Sequence, residues 1–149
     1  MINKLLITAV VGSGFLVWAG KEPDRLTIYT ADQAAAGLAA YQSSCINCHT
    51  DTLIAAAGAM YMGQQIPPLA GPDFMARWGG RKANDLSLRV KETVGGFPPA
   101  NLDETTYLSL TAYILAANGG APGKRELTAS TDVVIQAAAI AGNPGSKSH

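Results

Sequence analysis

Between residues 30 and 127 the chain alternates apolar positions at helical spacing with stretches rich in glycine and proline. The first periodic stretch opens at Thr30-Ala31-Asp32-Gln33, a threonine followed three residues on by glutamine. That spacing predicts a capping box and an alanine-rich helix running to about Ser43 or Ser44. Residues 50 to 72 carry Gly58, Gly63, Pro67, Pro68, Gly71 and Pro72, which predicts loop with at most a turn of helix. Asp73 to Trp78 predicts a short helix stopped by Gly79-Gly80. Asn84 predicts the N-cap of a further helix to about Thr93. Gly95-Gly96 and Pro98-Pro99 then predict an irregular stretch, after which Asp103 caps a longer helix to about Asn118, ended by Gly119-Gly120. No alternating β-branched run of strand length follows the amino-terminal segment, and no internal repeat is visible. The pattern predicts an all-α domain of three to four helices with long loops.

The amino terminus has a different pattern. Met1 to Lys4 supplies one positive charge, and Leu5 to Ala19 is an uncharged apolar run interrupted by Gly12, Ser13 and Gly14. A membrane-spanning helix needs roughly 20 apolar residues, so this shorter run predicts a cleaved export signal over residues 1–19. Val17-Trp18-Ala19 places the cut after Ala19. A retained anchor or a buried first helix is the alternative, and a membrane contact is expected only if the segment is kept. No cysteine follows the run, which argues against a lipoprotein. Residues 20–29, with Pro23, are expected to be a linker, 30–127 the domain, and 128–149 a carboxy-terminal extension. Within that extension Thr131 to Ala141 could form a short helix packed on the domain, and Gly142 to His149 a flexible tail.

Composition narrows the function. A chain of 149 residues is enough for one domain with a real core. Eleven basic against eleven acidic side chains give no basic face, and no nucleic acid partner is expected. Two cysteines and two histidines are too few for a multi-disulfide scaffold or a metalloenzyme with an all-protein ligand set. Only 7% of residues are aromatic, so a non-protein group is expected to fill part of the interior.

That group is named by Cys45-Ile46-Asn47-Cys48-His49, a C-x-x-C-H sequence, the attachment signature of a c-type haem. Two thiols three residues apart can add to two vinyl groups on one porphyrin edge, which holds the adjacent histidine against the iron as proximal ligand. Three other readings use the same residues. A structural zinc site needs four ligands, and Cys45, Cys48 and His49 supply three. A thioredoxin-like dithiol needs a βαβ setting, and a plain Cys45–Cys48 disulfide would close a strained small loop. Export agrees with haem attachment, which takes place outside the bacterial cytoplasm.

The chain here resembles class I cytochromes c, in particular the small cytochromes that accompany quinoprotein (PQQ) dehydrogenases. Three blocks carry the likeness. Gly37-Leu38-Ala39-Ala40-Tyr41 precedes Cys45 with Gly37, Tyr41 and Cys45 four apart, along one helix face. In the family the glycine permits close crossing by the carboxy-terminal helix, and the aromatic packs at that crossing. Pro67-Pro68-Leu69-Ala70-Gly71-Pro72-Asp73-Phe74, with Trp78 beyond, resembles the block whose proline carbonyl accepts a hydrogen bond from the proximal histidine. Pro68 best fits that role, while Phe74 and Trp78 would line the haem pocket or the core beneath it. Tyr107 to Asn118 resembles the family's last helix, with Tyr107, Leu110, Thr111 and Ile114 on one stripe and Tyr113 beside it. The likeness implies a class I cytochrome c fold wrapped around one covalently attached haem c.

The sixth iron ligand departs from the family. A methionine from the loop before the last helix is usual, and Val94 stands at its place in Thr93-Val94-Gly95-Gly96-Phe97-Pro98-Pro99-Ala100-Asn101-Leu102. Valine has no lone pair to offer. An open or water-occupied distal site is expected first, Met62 or Met60 second and the terminal His149 last, with Met75 expected in the core. Arg77, Arg81 and Lys82 around Trp78 could meet haem propionates or form a solvated loop face. Two functions follow. The first is a periplasmic mono-haem cytochrome, not an enzyme, carrying single electrons from a dehydrogenase donor to a cytochrome or oxidase acceptor. The alternative is a haem protein whose open sixth position binds small ligands or is weakly peroxidatic.

Overall fold

Thr30 starts the first helix as its position predicts. Its hydroxyl accepts the Gln33 backbone N–H at 3.2 Å, and the Gln33 side chain accepts the Thr30 N–H at 3.3 Å. Helix α1 (Ala31–Ser44) grows from this box in a computed structural model that describes residues 27–94 and 102–135. One turn of helix, α2 (Ile46–His49), follows directly, then a minimal antiparallel hairpin of β1 (Met60–Tyr61) and β2 (Gln64–Gln65). Helices α3 (Pro72–Trp78), α4 (Ala83–Val94) and α5 (Glu104–Ala117) complete the order. The architecture is mostly helical with one small two-stranded sheet.

Helix α5 is the central element. Asp103 caps it by accepting the Thr106 N–H at 2.7 Å, and Gly119 at φ 87° ends it. Tyr107, Leu110, Thr111 and Ile114 are all buried, as the stripe predicts, and Ser109, Ala112 and Leu115 are buried too. A helix covered on more than one face sits inside its fold. Helix α1 makes the largest contact with α5, and α4 packs beside them through Leu86 and Val90. At the α1–α5 crossing, a Cβ on Gly37 would lie 1.9 Å from the Ser109 carbonyl oxygen and 2.8 Å from the Tyr113 Cβ. Only glycine lets the two backbones approach this closely. One turn on, the Tyr41 and Tyr113 rings meet at 5.2 Å and 52°.

Several elements differ from their expectation. The end of the expected linker belongs to the core: Ile28 and Tyr29 are fully buried. Residues 27–30 run beside the chain that leaves α5. The Tyr29 hydroxyl donates to the Gly120 carbonyl at 2.5 Å, and the Gly123 N–H to the Tyr29 carbonyl at 2.8 Å. Burial pushes the Tyr29 phenol up to about 12. Asn84 does not cap α4, which begins one residue earlier at Ala83. The Val133 carbonyl accepts the Ala83 N–H at 2.9 Å, so a tertiary contact satisfies one of the first-turn donors that has no partner within the helix. Asn84 is left inside the first turn with its Oδ1 buried and without a hydrogen-bond partner.

The stretch expected to be helical from Thr131 is not helical as far as Val134, which bridges Lys82, while Ile135 is helical and buried. Residues 50–72, expected to be loop with at most a turn of helix, hold the β1–β2 hairpin. Its two-residue turn, Met62 at φ 47° and Gly63 at φ 77°, has the positive dihedrals of a type I′ connection. No helix among the described residues is long and apolar enough to cross a membrane. The expected export signal, the loop 95–101, residues 136–141 and the tail with His149 lie outside the described residues.

Candidate functional site

Cys45 stands where α1 ends and α2 begins. Its N–H still donates to the Tyr41 carbonyl at 2.8 Å, while its own carbonyl accepts the N–H of Cys48 at 3.1 Å and of His49 at 3.0 Å. This single turn puts both thiols and the imidazole at the end of α1. The cysteines are not bonded to each other. Cys45 is half-buried, and burial, with the neighbouring Cys48, pushes its thiol up to about 11. Cys48 is exposed.

His49 is half-buried, and burial lowers its pKa, which favours the neutral ring that a metal ligand requires. The opposing influence is the Pro67 carbonyl, which favours protonation. No hydrogen bond of normal geometry reaches Nδ1, which is buried and unpartnered, so Pro67 lies beside the ring without closing on it. The backbone group that acts on the His49 ring is the Pro67 carbonyl, next in the chain to Pro68, the residue expected in that role.

The loop beyond His49 is fastened at several points. Thr50 has φ 61° and ψ 178°, a region that side-chain-bearing residues rarely occupy. Tyr41 holds it there by donating its hydroxyl to the Thr50 carbonyl at 2.5 Å, and the Thr50 hydroxyl donates to the Ile54 carbonyl at 2.8 Å. The Leu69 N–H donates to the Leu53 carbonyl at 2.8 Å. Asn118 then ties the Pro67–Pro72 loop to the end of α5. Its Oδ1 accepts the Gly71 N–H at 3.0 Å, and its Nδ2 donates to the carbonyls of Leu69 at 2.9 Å and Ile114 at 2.8 Å. Sequence reasoning assigned Asn118 only as the end of a helix. A contact spanning 47 positions leaves no local signal.

Phe74 and Trp78, one turn apart in α3, are both buried with ring centroids 6.5 Å apart. The Arg81 guanidinium lies over the Trp78 ring at 5.3 Å, and Lys82 pairs with Asp132 at 2.9 Å. Arg77 lines an open depression with Pro67, Pro68 and Asp73. Met75 packs against the core, as expected. Met60 and Met62 are 57% and 83% exposed on the hairpin. Val94 is the last residue of α4.

The arrangement joins two free thiols, a buried-edge imidazole and a proline carbonyl on a braced loop. Among the described residues no three His, Cys, Asp or Glu side chains converge to hold a metal ion by themselves. No protein family, curated protein or solved structure matches the chain.

Proposed function

We propose that the protein is a mono-haem c-type cytochrome of class I fold that carries single electrons in the periplasm, from a quinoprotein-type dehydrogenase to a respiratory cytochrome or oxidase. The observation that carries this reading is the C-x-x-C-H turn, with no disulfide between its two cysteines and His49 half-buried at the end of the glycine-crossed helix pair. The fit is chemical. An orphaned, buried Nδ1 beside a backbone carbonyl suits an imidazole that binds iron through Nε2 and is steadied from behind.

Cys45 and Cys48 would hold the porphyrin. Each thiol would add across one vinyl group, sulfur bonding one carbon and the thiol hydrogen going to the other, so no oxidant would be needed. Bound haem supplies a one-electron ferric/ferrous couple. The chain's own work is to keep that couple in place and partly dry. The α1–α5 crossing fixes the end of α1, Tyr41 and Asn118 brace Thr50 and the Pro67–Pro72 loop that follow His49, and Phe74 and Trp78 bury aromatic surface in α3. Ile54, Met60 and Met62 are exposed apolar side chains on the loop between His49 and Pro67, suited to brief contact with a redox partner.

The test is to export the full chain in a host with c-type maturation. The haem should stay with the polypeptide on a denaturing gel, the purified protein should have no titratable thiol, and Cys45→Ala with Cys48→Ala should abolish attachment. A quinoprotein dehydrogenase with its substrate should reduce the haem. Two free thiols and no bound haem would end this reading.

A further inference from the structure

Met60, Met62 and Met75 lie among the described residues, and the fold treats them in two ways. Met75, in α3, packs against the core, with its Cε 3.7 Å from where a Cβ on Gly79 would be. Met60 and Met62 stand on the β1–β2 hairpin, 57% and 83% exposed. Burying a methionine side chain fully is worth about 1.5–3 kcal/mol, a gain the hairpin forgoes at both positions. Met62 departs further from what packing favours. Its φ of 47° is the left-handed conformation at the first central position of a type I′ turn, which asparagine, aspartate and glycine adopt most readily. What methionine brings to that position, and those residues do not, is a thioether sulfur held out at the tip.

The surroundings tolerate a chemical change of that sulfur. The hairpin backbone is fixed without either methionine side chain, since β1 pairs with β2 and the Ile66 N–H donates to the Ala59 carbonyl at 3.0 Å. Met60 is paired across the strands with Gln65. Side chains so opposed have Cβ atoms about 4.5–5.5 Å apart. A thioether is a weak acceptor for the Gln65 amide N–H, whereas a sulfoxide oxygen is a good one.

We propose that Met62 and Met60 form a reversible oxidation site, each taking one oxygen atom from a hydroperoxide, with Met62 reacting first. A sulfur lone pair attacks one peroxide oxygen, the O–O bond breaks, and sulfur keeps that oxygen as the sulfoxide. Sulfur gives up two electrons, and with hydrogen peroxide the other oxygen leaves as water. Sulfoxide reductases reverse the step, releasing the oxygen as water with two electrons from thiols. The product makes the apolar tip polar, which weakens the contact this loop offers a redox partner. That consequence rests on the function proposed above; the chemistry at sulfur does not.

The experiment exposes the full-length chain to hydrogen peroxide, with cyanide present to keep peroxide off ferric haem, and follows each methionine-bearing peptide by mass spectrometry. Met62 should gain one oxygen first and Met60 next, while Met75 stays unmodified until urea opens the fold. Far-ultraviolet circular dichroism should be unchanged by oxidation, and reductases of both epimer specificities should restore the parent mass. M62L should lose the first oxygen and leave Met60 to react as before. Equal rates at all three methionines, oxidation of Met75 ahead of the hairpin, or unfolding on the first oxygen would overturn the site. Where haem is attached, the oxidised protein should be reduced more slowly by the dehydrogenase, and an unchanged rate overturns the link to partner contact. A chain without haem that keeps this order of oxidation ends the proposed function and upholds the site, whereas haem-bearing protein oxidised uniformly ends the site alone.

Discussion

Gly37 sets the distance between the two helices that frame the site. Alanine there would add a methyl group 1.9 Å from the Ser109 carbonyl oxygen, a backbone atom that cannot rotate away. Overpacking of this kind typically costs about 1–3 kcal/mol, and the helix-propensity gain of alanine over glycine offsets about 1 kcal/mol of it. Because the clash is with backbone, separation of α1 from α5 should dominate. Gly37→Ala should lower the urea midpoint of the haem-bearing protein and disturb the Tyr41–Tyr113 contact in near-ultraviolet circular dichroism. An unchanged midpoint would contradict the close crossing. Asn118 is the second residue on which the site depends. Asn118→Ala removes three hydrogen bonds and leaves the Gly71 N–H and the Leu69 carbonyl to find water. About 1–3 kcal/mol of stability should go with it. The Pro67 carbonyl should also lose its fixed place beside His49, which would appear as a shifted reduction potential; a loss of stability at constant potential would make Asn118 purely structural.

Helix ends were legible where their chemistry is local. Thr30 and Asp103 cap α1 and α5 as their sequence positions predict, because each side chain reaches a backbone N–H three residues away. Asn84 misleads for the opposite reason, since α4 begins one residue before it and the Ala83 N–H there is met by the Val133 carbonyl, far along the chain. The hairpin was invisible because strands of two residues have no period to read. Ile28 and Tyr29 look like linker because their partners lie near residues 120 and 123. At the site, C-x-x-C-H was legible from five adjacent residues, whereas the bracing by Asn118 and the place of Pro67 depend on how separate loops meet. Gln33 shows how an element couples local and distant order. It completes the α1 cap and also clamps Leu127, donating to its carbonyl at 2.9 Å and accepting its N–H at 2.8 Å. Gln33→Ala should therefore destabilise by about 1–3 kcal/mol, more than Thr30→Ala, for which about 1 kcal/mol is typical. Equal effects would mean the Leu127 clamp carries nothing. Helix α5 has a pH signature. The Thr106 N–H holds the Asp103 carboxyl below the usual carboxylate range. Its folded pKa is lowered, so the cap helps above the unfolded value and is lost as pH falls through the folded one. Acid titration should erode the parent's stability over that window more than that of Asp103→Asn.

At the scale of the whole molecule, charge and surface shape any encounter with a redox partner. The full chain has eleven basic and eleven acidic side chains and so no net charge, and cleavage of residues 1–19, were it to occur, would remove only Lys4 and leave the chain near neutrality. Long-range steering needs a net field, and without one association proceeds from ordinary diffusion and short-range contact. The described ion pairs, Lys82–Asp132, Arg89–Glu92 and Lys91–Glu104, are exposed and mutually compensating, so they add little field. What the surface does offer is apolar: Ile54 at 51%, Met60 at 57% and Met62 at 83% exposure, on the loop that joins His49 to Pro67. Electron exchange with a physiological partner should accordingly change little as ionic strength is raised through a range that screens exposed charges, for which the Debye length falls from about 30 Å to about 8 Å. Replacing Ile54 and Met62 with glutamate should slow exchange and leave the haem spectrum unaltered, because both side chains are on the surface. Stopped-flow reduction by the dehydrogenase separates the two surface models. A rate that collapses with added salt yet tolerates the glutamates would place the partner on charged residues elsewhere; a salt-indifferent rate that the glutamates suppress would place it on this loop.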